Sequence, residues 1–165
     1  MVDYESLNSL AKEVYATFFN LKITLGTAES MTGGLIGHLI TNQDGASSVF
    51  GGSIVVYTAA AKSQVLKIPM AFIHREGTVS KNMVESMLEH MKEFPLDVVL
   101  AISGIAGKEI EGLERGTVFI GTDCLGIITI NKFLFTGTRE EIKMKAADAS
   151  LNMLLKSVEH LEKRN

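Results

Sequence analysis

Two serines, a tyrosine and a lysine surround one apolar segment of the chain, and these residue types could form a hydrolytic site. The segment reads GASSVFGGSIVVYTAAAK. The hydroxyl of Ser47 or Ser48 would become a nucleophile if the amine of Lys62 took its proton, as in Ser-Lys hydrolases. The residues therefore indicate nucleophilic catalysis, and the alternative interpretation is two loop serines beside an exposed lysine.

The position of Lys62 favours the chemical interpretation. The run from Ala59 to Leu66 favours helix by propensity, which places Lys62 in a first helical turn. The positive end of the helix dipole disfavours a charged amine there, and burial would act in the same direction. The sequence therefore predicts that Lys62 could serve as a general base.

The other titratable residues predict no second centre. Cys124 is the only cysteine, which excludes an internal disulfide or cysteine zinc cluster and suits a reducing cytoplasm. The histidines lack paired ligand spacing, so no metal site is expected. The candidates that form no readable ligand set or carboxylate pair are His38, His74, His90, His160, Glu29, Asp44, Asp97 and Asp123.

Composition limits the class of protein. The 165 residues are 46% hydrophobic and 21% charged, enough for one domain with its own core. A net charge of -3 without a basic stripe argues against nucleic acid as a partner. The chain has no run of about 20 apolar residues and begins with acidic residues, so we expect neither a membrane span nor a secretory signal, and a cytoplasmic location.

Hydrophobic periodicity predicts helices that alternate with strands. Ser80 is a plausible N-cap for a helix whose methionines we assign to the core. The predicted helices cover residues 3–20, 35–40, 59–66 and 139–163, and a further helix follows Ser80 and ends before Pro95. The predicted strands cover 23–28, 51–57, 96–103, 117–122 and 127–135. This order predicts an α/β fold, a three-layer α/β/α sandwich with a mixed β-sheet and a single domain.

In open sheets of this kind, ligands bind at turns beyond the strand ends. Three turns qualify, at residues 29–34, 57–62 and 103–107. The Thr32-Gly33-Gly34 turn enters a predicted helix and would leave backbone N–H groups free for a phosphate or carboxylate. The alternative interpretation of this turn is a purely structural one, in which the small residues serve packing.

The segment TAESMTGG at residues 27–34 resembles the TAES-Cys-TGG signature of the CinA carboxy-terminal domain family, the nicotinamide-nucleotide amidohydrolases. Further blocks follow in the order of that family across about residues 5–160: GASSVF, IVVYTAAAK, EGTVS, SGIAG, RGTVFI and FTGTRE. The resemblance implies one stand-alone domain of this type over residues 1–165. From the length we expect no copy of the pyrophosphatase-like domain that is often fused ahead of it in the family.

The resemblance also implies an activity, the deamidation of nicotinamide mononucleotide to nicotinic acid mononucleotide and ammonia in NAD salvage. It implies a Ser/Lys mechanism with no metal and no cofactor, a small-molecule nucleotide substrate, and a homodimer or larger homo-oligomer. The alternative is a non-catalytic or regulatory nucleotide-binding member of the same fold.

Residue by residue, the resemblance implies Ser47 as the nucleophile, Lys62 as its base and Tyr57 as a further catalytic residue. We therefore expect Ser47 Oγ within about 4 Å of the Lys62 amine. Arg139 and the helix start at Gly33-Gly34 would hold the phosphate. The implied substrate-binding residues are Ser30, Thr32, Gly33, Gly34, Ser103, Gly104 and Arg139.

The sequence departs from the pattern of the family at several positions. Met31 replaces a cysteine, and Thr138 replaces the aspartate before the arginine. Ala59 and Ala60 replace an Asn-Glu pair, and Ala46 replaces the first serine of the Gly-Ser-Ser block. The segment 108–115 is shorter and more charged than the Pro- and Gly-rich loop of the family, which predicts a different pocket rim.

Overall fold

A computed structural model describes residues 2–109 and 112–162 of the chain. Within these residues the chain forms a five-stranded sheet with helices on both faces. The helices are α1 (Tyr4–Leu21), α2 (Leu35–Thr41), α3 (Ala59–Leu66), α4 (Met70–Glu76), α5 (Lys81–Met91) and α6 (Arg139–Glu162), and a short 3₁₀ turn covers Ala46–Ser48. The strands are β1 (Leu25–Glu29), β2 (Phe50–Val55), β3 (Val98–Gly104), β4 (Thr117–Cys124) and β5 (Ile127–Leu134).

The strands follow the order β2-β1-β3-β4-β5 in one mixed sheet. Strand β1 is parallel to both β2 and β3, while β4 and β5 are antiparallel to their neighbours. The register places Ala28 beside Ala101 and Glu29 beside Val55. The predicted α/β fold with a mixed sheet is therefore confirmed.

Two apolar clusters fill the spaces above and below the sheet. One lies under α1, α2 and α6 and includes Leu7, Phe18 and Leu154. The other lies under α3, α4 and α5, where Met83 and Met87 are completely buried. The prediction that these methionines belong to the core is confirmed.

Most boundaries fall within two residues of the prediction, and the deviations have local causes. Strand β1 begins at Leu25 because Lys22 and Ile23 close the preceding helix: Lys22 adopts a left-handed conformation at φ 56°, and the Ile23 N–H donates to the carbonyl of Phe18 at 3.1 Å. The seven-residue helix α4 was not predicted. It is too short to show a periodic pattern, and Pro69 at its N-cap was its one sequence signal.

The parallel strands determine where a site can form. Their carboxyl ends meet at one edge of the sheet, which is the edge where open α/β sheets bind ligands. Strand β1 ends before Ser30, β2 before Val56, and β3 at Gly104. In the part of the chain that the structure describes, no helix is both long and apolar enough to cross a membrane.

Candidate functional site

A cavity of about 380 Å³ lies beyond the carboxyl ends of β1, β2 and β3. Such a volume falls within the range typical of small-molecule sites. All three predicted turns contribute to its lining, and the first of them does so through Ser30 and Met31. The residues that could act on a ligand there are Ser30, Tyr57, Lys62, Ser103, Lys108 and Arg139.

Lys62 and Ser30 form the central contact of this cavity. The Lys62 side chain is 1% exposed, and its Nζ donates hydrogen bonds to Ser30 Oγ at 2.9 Å and to the carbonyl of Val56 at 3.0 Å. Thr58 caps helix α3 by accepting from the Ala61 N–H at 3.1 Å, which places Lys62 in the first turn as predicted. The structure thus pairs the predicted base with a serine at the end of β1.

Ser47 lies at the opposite end of the sheet from Lys62. It is exposed in the 3₁₀ turn that precedes β2, whereas Lys62 follows that strand. The six residues of β2 rise about 3.3 Å each, so the strand alone separates the two side chains by about 20 Å. The expected contact between Ser47 and Lys62 within one chain is therefore wrong. The neighbouring Ser48 donates to the carbonyl of Gly45 at 2.8 Å.

Strand direction could have predicted from the sequence that Ser30, and not Ser47, lies near Lys62. Residues that follow parallel strands share one edge of the sheet, and those that precede them share the other. Ser30 and Lys62 both follow a predicted strand, but Ser47 precedes one. The resemblance assigned Ser47 by matching residue types and did not use this geometric rule.

The start of helix α2 is occupied by the carboxylate of Glu29, which is completely buried. Its two oxygens accept six hydrogen bonds of 2.7–3.3 Å. The donors are the N–H groups of Gly34, Ile36 and Gly37 and the hydroxyls of Thr27, Thr32 and Ser53. A phosphate approaching this helix start would meet a carboxylate already bound to its N–H groups.

The expected role of the Thr32-Gly33-Gly34 turn is corrected accordingly. These three residues do not line the cavity. Thr32 and Gly34 donate to Glu29, and Gly33 donates its N–H to the Ser30 carbonyl at 3.0 Å. The turn shapes the backbone around Ser30, and its donors are already engaged within the protein. The role of Glu29 was not predicted, although a carboxylate at a buried strand end just before a glycine-rich helix start was a signal for it.

Ser103 and Gly104 form the end of β3 in the cavity wall. The Ser103 side chain is buried, and its Oγ donates to the carbonyl of Thr78 at 2.7 Å. Gly104 is required by packing, because a Cβ there would lie 2.7 Å from Val118 Cγ2 and 3.0 Å from the carbonyl oxygen of Thr117. Of this pair, only Ser103 can offer a side chain to a ligand.

Tyr57 and Arg139 meet at the mouth of the cavity. The Arg139 guanidinium donates a hydrogen bond to the Tyr57 hydroxyl and lies close over Gly107, where a Cβ would be 2.9 Å from Nη1. Arg139 is the first residue of α6, whose start is fixed by reciprocal hydrogen bonds between Thr138 and Glu141. The backbone hydrogen bond from Thr138 holds the pKa of the Glu141 carboxyl below its usual value.

The turn after β3 presents backbone donors beside Arg139. The Ile105 N–H donates to the carbonyl of Thr117 at 2.9 Å. Within residues 2–109 and 112–162, no acceptor is found for the N–H groups of Ala106 and Gly107, although Ala106 is 4% exposed. Buried backbone donors are normally paired, so this turn is suited to a negatively charged ligand atom.

The departures from the family pattern have structural outcomes. Met31 and Ala59 give the cavity an apolar wall, whereas Ala60 is exposed on α3. Thr138 serves as the helix cap described above. In the predicted altered rim at 108–115, Lys108 lines the cavity, and residues 110 and 111 lie outside the described residues.

The described side chains offer no cluster of three or more His, Cys, Asp or Glu residues that could hold a metal ion. Lys62, Ser30 and Arg139 instead supply an amine, a hydroxyl and a guanidinium. This set can activate a nucleophile and bind an anion without a metal.

Sequence comparison relates the chain to known bacterial proteins. The family model for the CinA C-terminal domain matches residues 7–158. The chain is 34% identical over 153 residues to a protein of Bacillus subtilis (strain 168) that carries the name competence-damage inducible protein, which covers 92% of this chain and 37% of the relative. A protein of the same name from Geobacillus kaustophilus is 36% identical over 135 residues, covering 80% of this chain and 33% of the relative. The chain thus spans roughly a third of the length of these relatives.

Solved structures show the same fold. A CinA superfamily protein from Klebsiella pneumoniae 700603 superposes with a TM-score of 0.89 at 26% identity, covering 93% of this chain and 98% of that one. A competence/damage inducible protein from Agrobacterium tumefaciens gives a TM-score of 0.86 at 27% identity, covering 92% and 94%. The sheet that positions the cavity is therefore common to these proteins.

Proposed function

The chain belongs to the CinA C-terminal domain family, and on that premise we propose that it deamidates nicotinamide mononucleotide, with Ser30 and Lys62 as a serine-lysine dyad. The products are nicotinic acid mononucleotide and ammonia. The observation that carries this proposal is the 2.9 Å contact between Lys62 Nζ and Ser30 Oγ inside a ligand-sized cavity.

The environment of Lys62 favours its role as a base. Burial disfavours a charged ammonium, and the first turn of α3 places the side chain near the positive end of the helix dipole. The Val56 carbonyl fixes one N–H of the amine. In the neutral amine, the contact with Ser30 can run from the serine O–H to the nitrogen lone pair, which is the arrangement that activates a nucleophile.

Acylation proceeds in two steps. Ser30 Oγ attacks the carboxamide carbon while Lys62 Nζ takes the hydroxyl proton, which gives a tetrahedral intermediate with a negative oxygen. The C–N bond then breaks, and the proton passes from Lys62 to the departing nitrogen, which leaves as ammonia. The product of this stage is an acyl ester on Ser30 and a neutral lysine.

Deacylation uses the same pair of residues. Lys62 takes a proton from a water molecule as the water oxygen attacks the acyl carbon. The bond between that carbon and Ser30 Oγ breaks, and the proton returns to the serine oxygen. The acid product carries the oxygen from water, and both residues regain their initial protonation states.

The remaining cavity residues fit the charges of the substrate. The N–H groups of Ala106 and Gly107 can donate to the oxyanion, a contribution of about 3 kcal/mol per donor in hydrolases. Arg139 and Lys108 are the cations at the rim, and we assign the phosphate to them in place of the α2 helix start. The apolar Met31 gives the pyridine ring a surface to pack against.

Ammonia release from nicotinamide mononucleotide by the purified protein tests the proposal. We expect turnover by the wild type and a loss of at least about 100-fold in kcat with Ser30→Ala or Lys62→Ala, because each removes one half of the dyad. Ser48→Ala and Lys67→Ala are the control variants, since both residues are exposed and lie outside the cavity, and they should retain wild-type rates.

Three outcomes would contradict the proposal in different ways. Nucleotide binding without ammonia release would indicate a non-catalytic nucleotide-binding member of the family. Full activity of Ser30→Ala would exclude Ser30 as the nucleophile. Loss of activity in Ser47→Ala, with activity retained in Ser30→Ala, would indicate Ser47 as the nucleophile. A second chain would then have to bring Ser47 to Lys62.

We also propose that the protein acts in the cytoplasm as a homodimer or larger homo-oligomer. The edge strand β5 supports association, because it pairs on one side only and exposes Ile127 by 57% and Leu134 by 54%. Light scattering after size-exclusion chromatography tests this, and a monomer at micromolar concentration would contradict it.

A further inference from the structure

Ser103 has a hydroxyl whose proton is already engaged. Its Oγ donates to the Thr78 carbonyl at 2.7 Å, and the side chain is 1% exposed. A serine hydroxyl has one proton to donate and two lone pairs that accept. Because the proton points to Thr78, the oxygen can offer only lone pairs to a ligand in the cavity. Ser103 is therefore an acceptor that selects a ligand donor.

The strand pairing places this acceptor at the same end of the sheet as the dyad. Strands β1 and β3 are parallel, and their last pair is Ala28 beside Ala101. Ser30 follows the end of β1, two residues after Ala28, and Ser103 lies two residues after Ala101 near the end of β3. Adjacent strands are about 4.8 Å apart, and both serines line the cavity. A group whose carbon contacts Ser30 Oγ can therefore place a substituent on Ser103 Oγ.

We propose that Ser103 is a specificity-determining residue, which accepts an N–H of the scissile primary carboxamide and so selects amides over the corresponding acids and esters. This inference rests on the proposed function. A primary carboxamide carries two N–H donors on the nitrogen that departs as ammonia. An ester or a carboxylate presents only oxygen lone pairs at that position, which face the lone pairs of Ser103 without a proton between them.

The same contact has two consequences for the reaction. It orients the departing nitrogen beside the amine of Lys62, which must protonate it. It also weakens binding of the acid product, because the N–H that Ser103 accepts is lost when ammonia leaves. Ser103 therefore acts on the choice of substrate and on product release, whereas Ser30 and Lys62 act on the bonds that change.

The test compares two substrates that differ only in the scissile group, nicotinamide mononucleotide and the methyl ester of nicotinic acid mononucleotide. Ser103→Ala should lower kcat/KM for the amide by about tenfold, the value of one well-made hydrogen bond, and leave that for the ester within about twofold. Ser103→Cys has a weaker acceptor of similar shape, so its kcat/KM for the amide should fall between those of the wild type and Ser103→Ala. It replaces Ser103→Ala if that variant does not fold.

Ser150→Ala is the matched control. Ser150 is also buried and donates to a backbone carbonyl, that of Ala146 at 2.7 Å, but it lies on α6 outside the cavity. It should change the amide-to-ester ratio by less than twofold. An equal loss on amide and ester in Ser103→Ala would overturn the inference and leave the proposed function intact.

A binding measurement separates the inference from the proposed function. In the Ser30→Ala background, calorimetry with nicotinamide mononucleotide and nicotinic acid mononucleotide should show a preference for the amide, which the added Ser103→Ala change removes. An amide preference without turnover by the wild type would contradict the proposed function alone. Equal affinities for amide and acid before the Ser103 change would contradict the inference.

Discussion

Replacement of Glu29 by glutamine should strongly destabilise the protein. The carboxylate accepts six hydrogen bonds, three on each oxygen, and glutamine keeps only one oxygen of the same shape. The amide NH₂ would take the Oε1 position, where the hydroxyls of Thr27 and Ser53 can turn to accept from it, whereas the Gly37 N–H would lose its acceptor. An unpaired buried donor costs about 1–3 kcal/mol and the remaining bonds lose their charged acceptor, so the expected decrease in the free energy of unfolding is about 3 kcal/mol.

Urea denaturation followed by far-UV circular dichroism measures this decrease. A domain of this size has a total stability of about 5–15 kcal/mol, so Glu29→Gln should remove a large part of it. The control is Glu89→Gln, which removes the exposed 2.6 Å ion pair with Lys92 and should leave the denaturation midpoint close to that of the wild type. A loss below about 1 kcal/mol in Glu29→Gln would refute the conclusion that this carboxylate fills the helix start.

Three further predictions concern the cavity mouth, acid stability and the buried thiol. Tyr57→Phe removes the hydroxyl that Arg139 contacts. In steady-state assays of ammonia release, it should raise the KM for nicotinamide mononucleotide by about threefold to tenfold with kcat nearly unchanged. An unchanged KM would exclude this contact as a determinant of substrate binding. The lowered pKa of Glu141 stabilises the folded state at pH values above the usual carboxyl pKa, and this contribution is lost as pH falls through the lower pKa of the folded state. Urea unfolding should therefore show a smaller acid-induced loss of stability in Glu141→Gln than in the wild type. Equal losses in the two proteins would contradict this prediction. Burial raises the pKa of the Cys124 thiol, and the residue is 1% exposed. A disulfide reagent should therefore label it slowly in the native protein and at once in urea. Rapid labelling of the native protein would show that β4 opens readily.

The sequence predicted the fold well because hydrophobic periodicity reports which face of an element is buried. The long helices α1 and α6 and the buried run in β3 each carry many such residues. Helix α4 escaped because seven residues contain less than two full periods. Its formation depends on packing of Ile73 into the core beneath α5, which propensity does not encode.

Only part of the cavity lining was predicted. Six of the ten predicted site residues line it, and the other four, Ser47, Thr32, Gly33 and Gly34, do not. The turns around Ser30, Tyr57 and Ser103 lie where strand ends were expected. The partner of Lys62 was missed because residue matching carries no distances, and β2 places Ser47 at the far edge of the sheet. Glu29 was missed because its signal, a carboxylate between a buried strand and a glycine-rich helix start, does not specify the six donors that surround it.

The cavity is assembled from segments that are far apart in the chain. The contact between Lys62 and Ser30 joins residues 32 positions apart, that between Ser103 and Thr78 joins residues 25 apart, and that between Arg139 and Tyr57 spans 82. Parallel strand pairing of this kind forms slowly, because the chain must close long loops before the contacts stabilise it. Ligand-binding capacity should therefore appear late in refolding, after most helical signal has returned, and would serve as a sensitive measure of the fraction of chains that have completed the sheet.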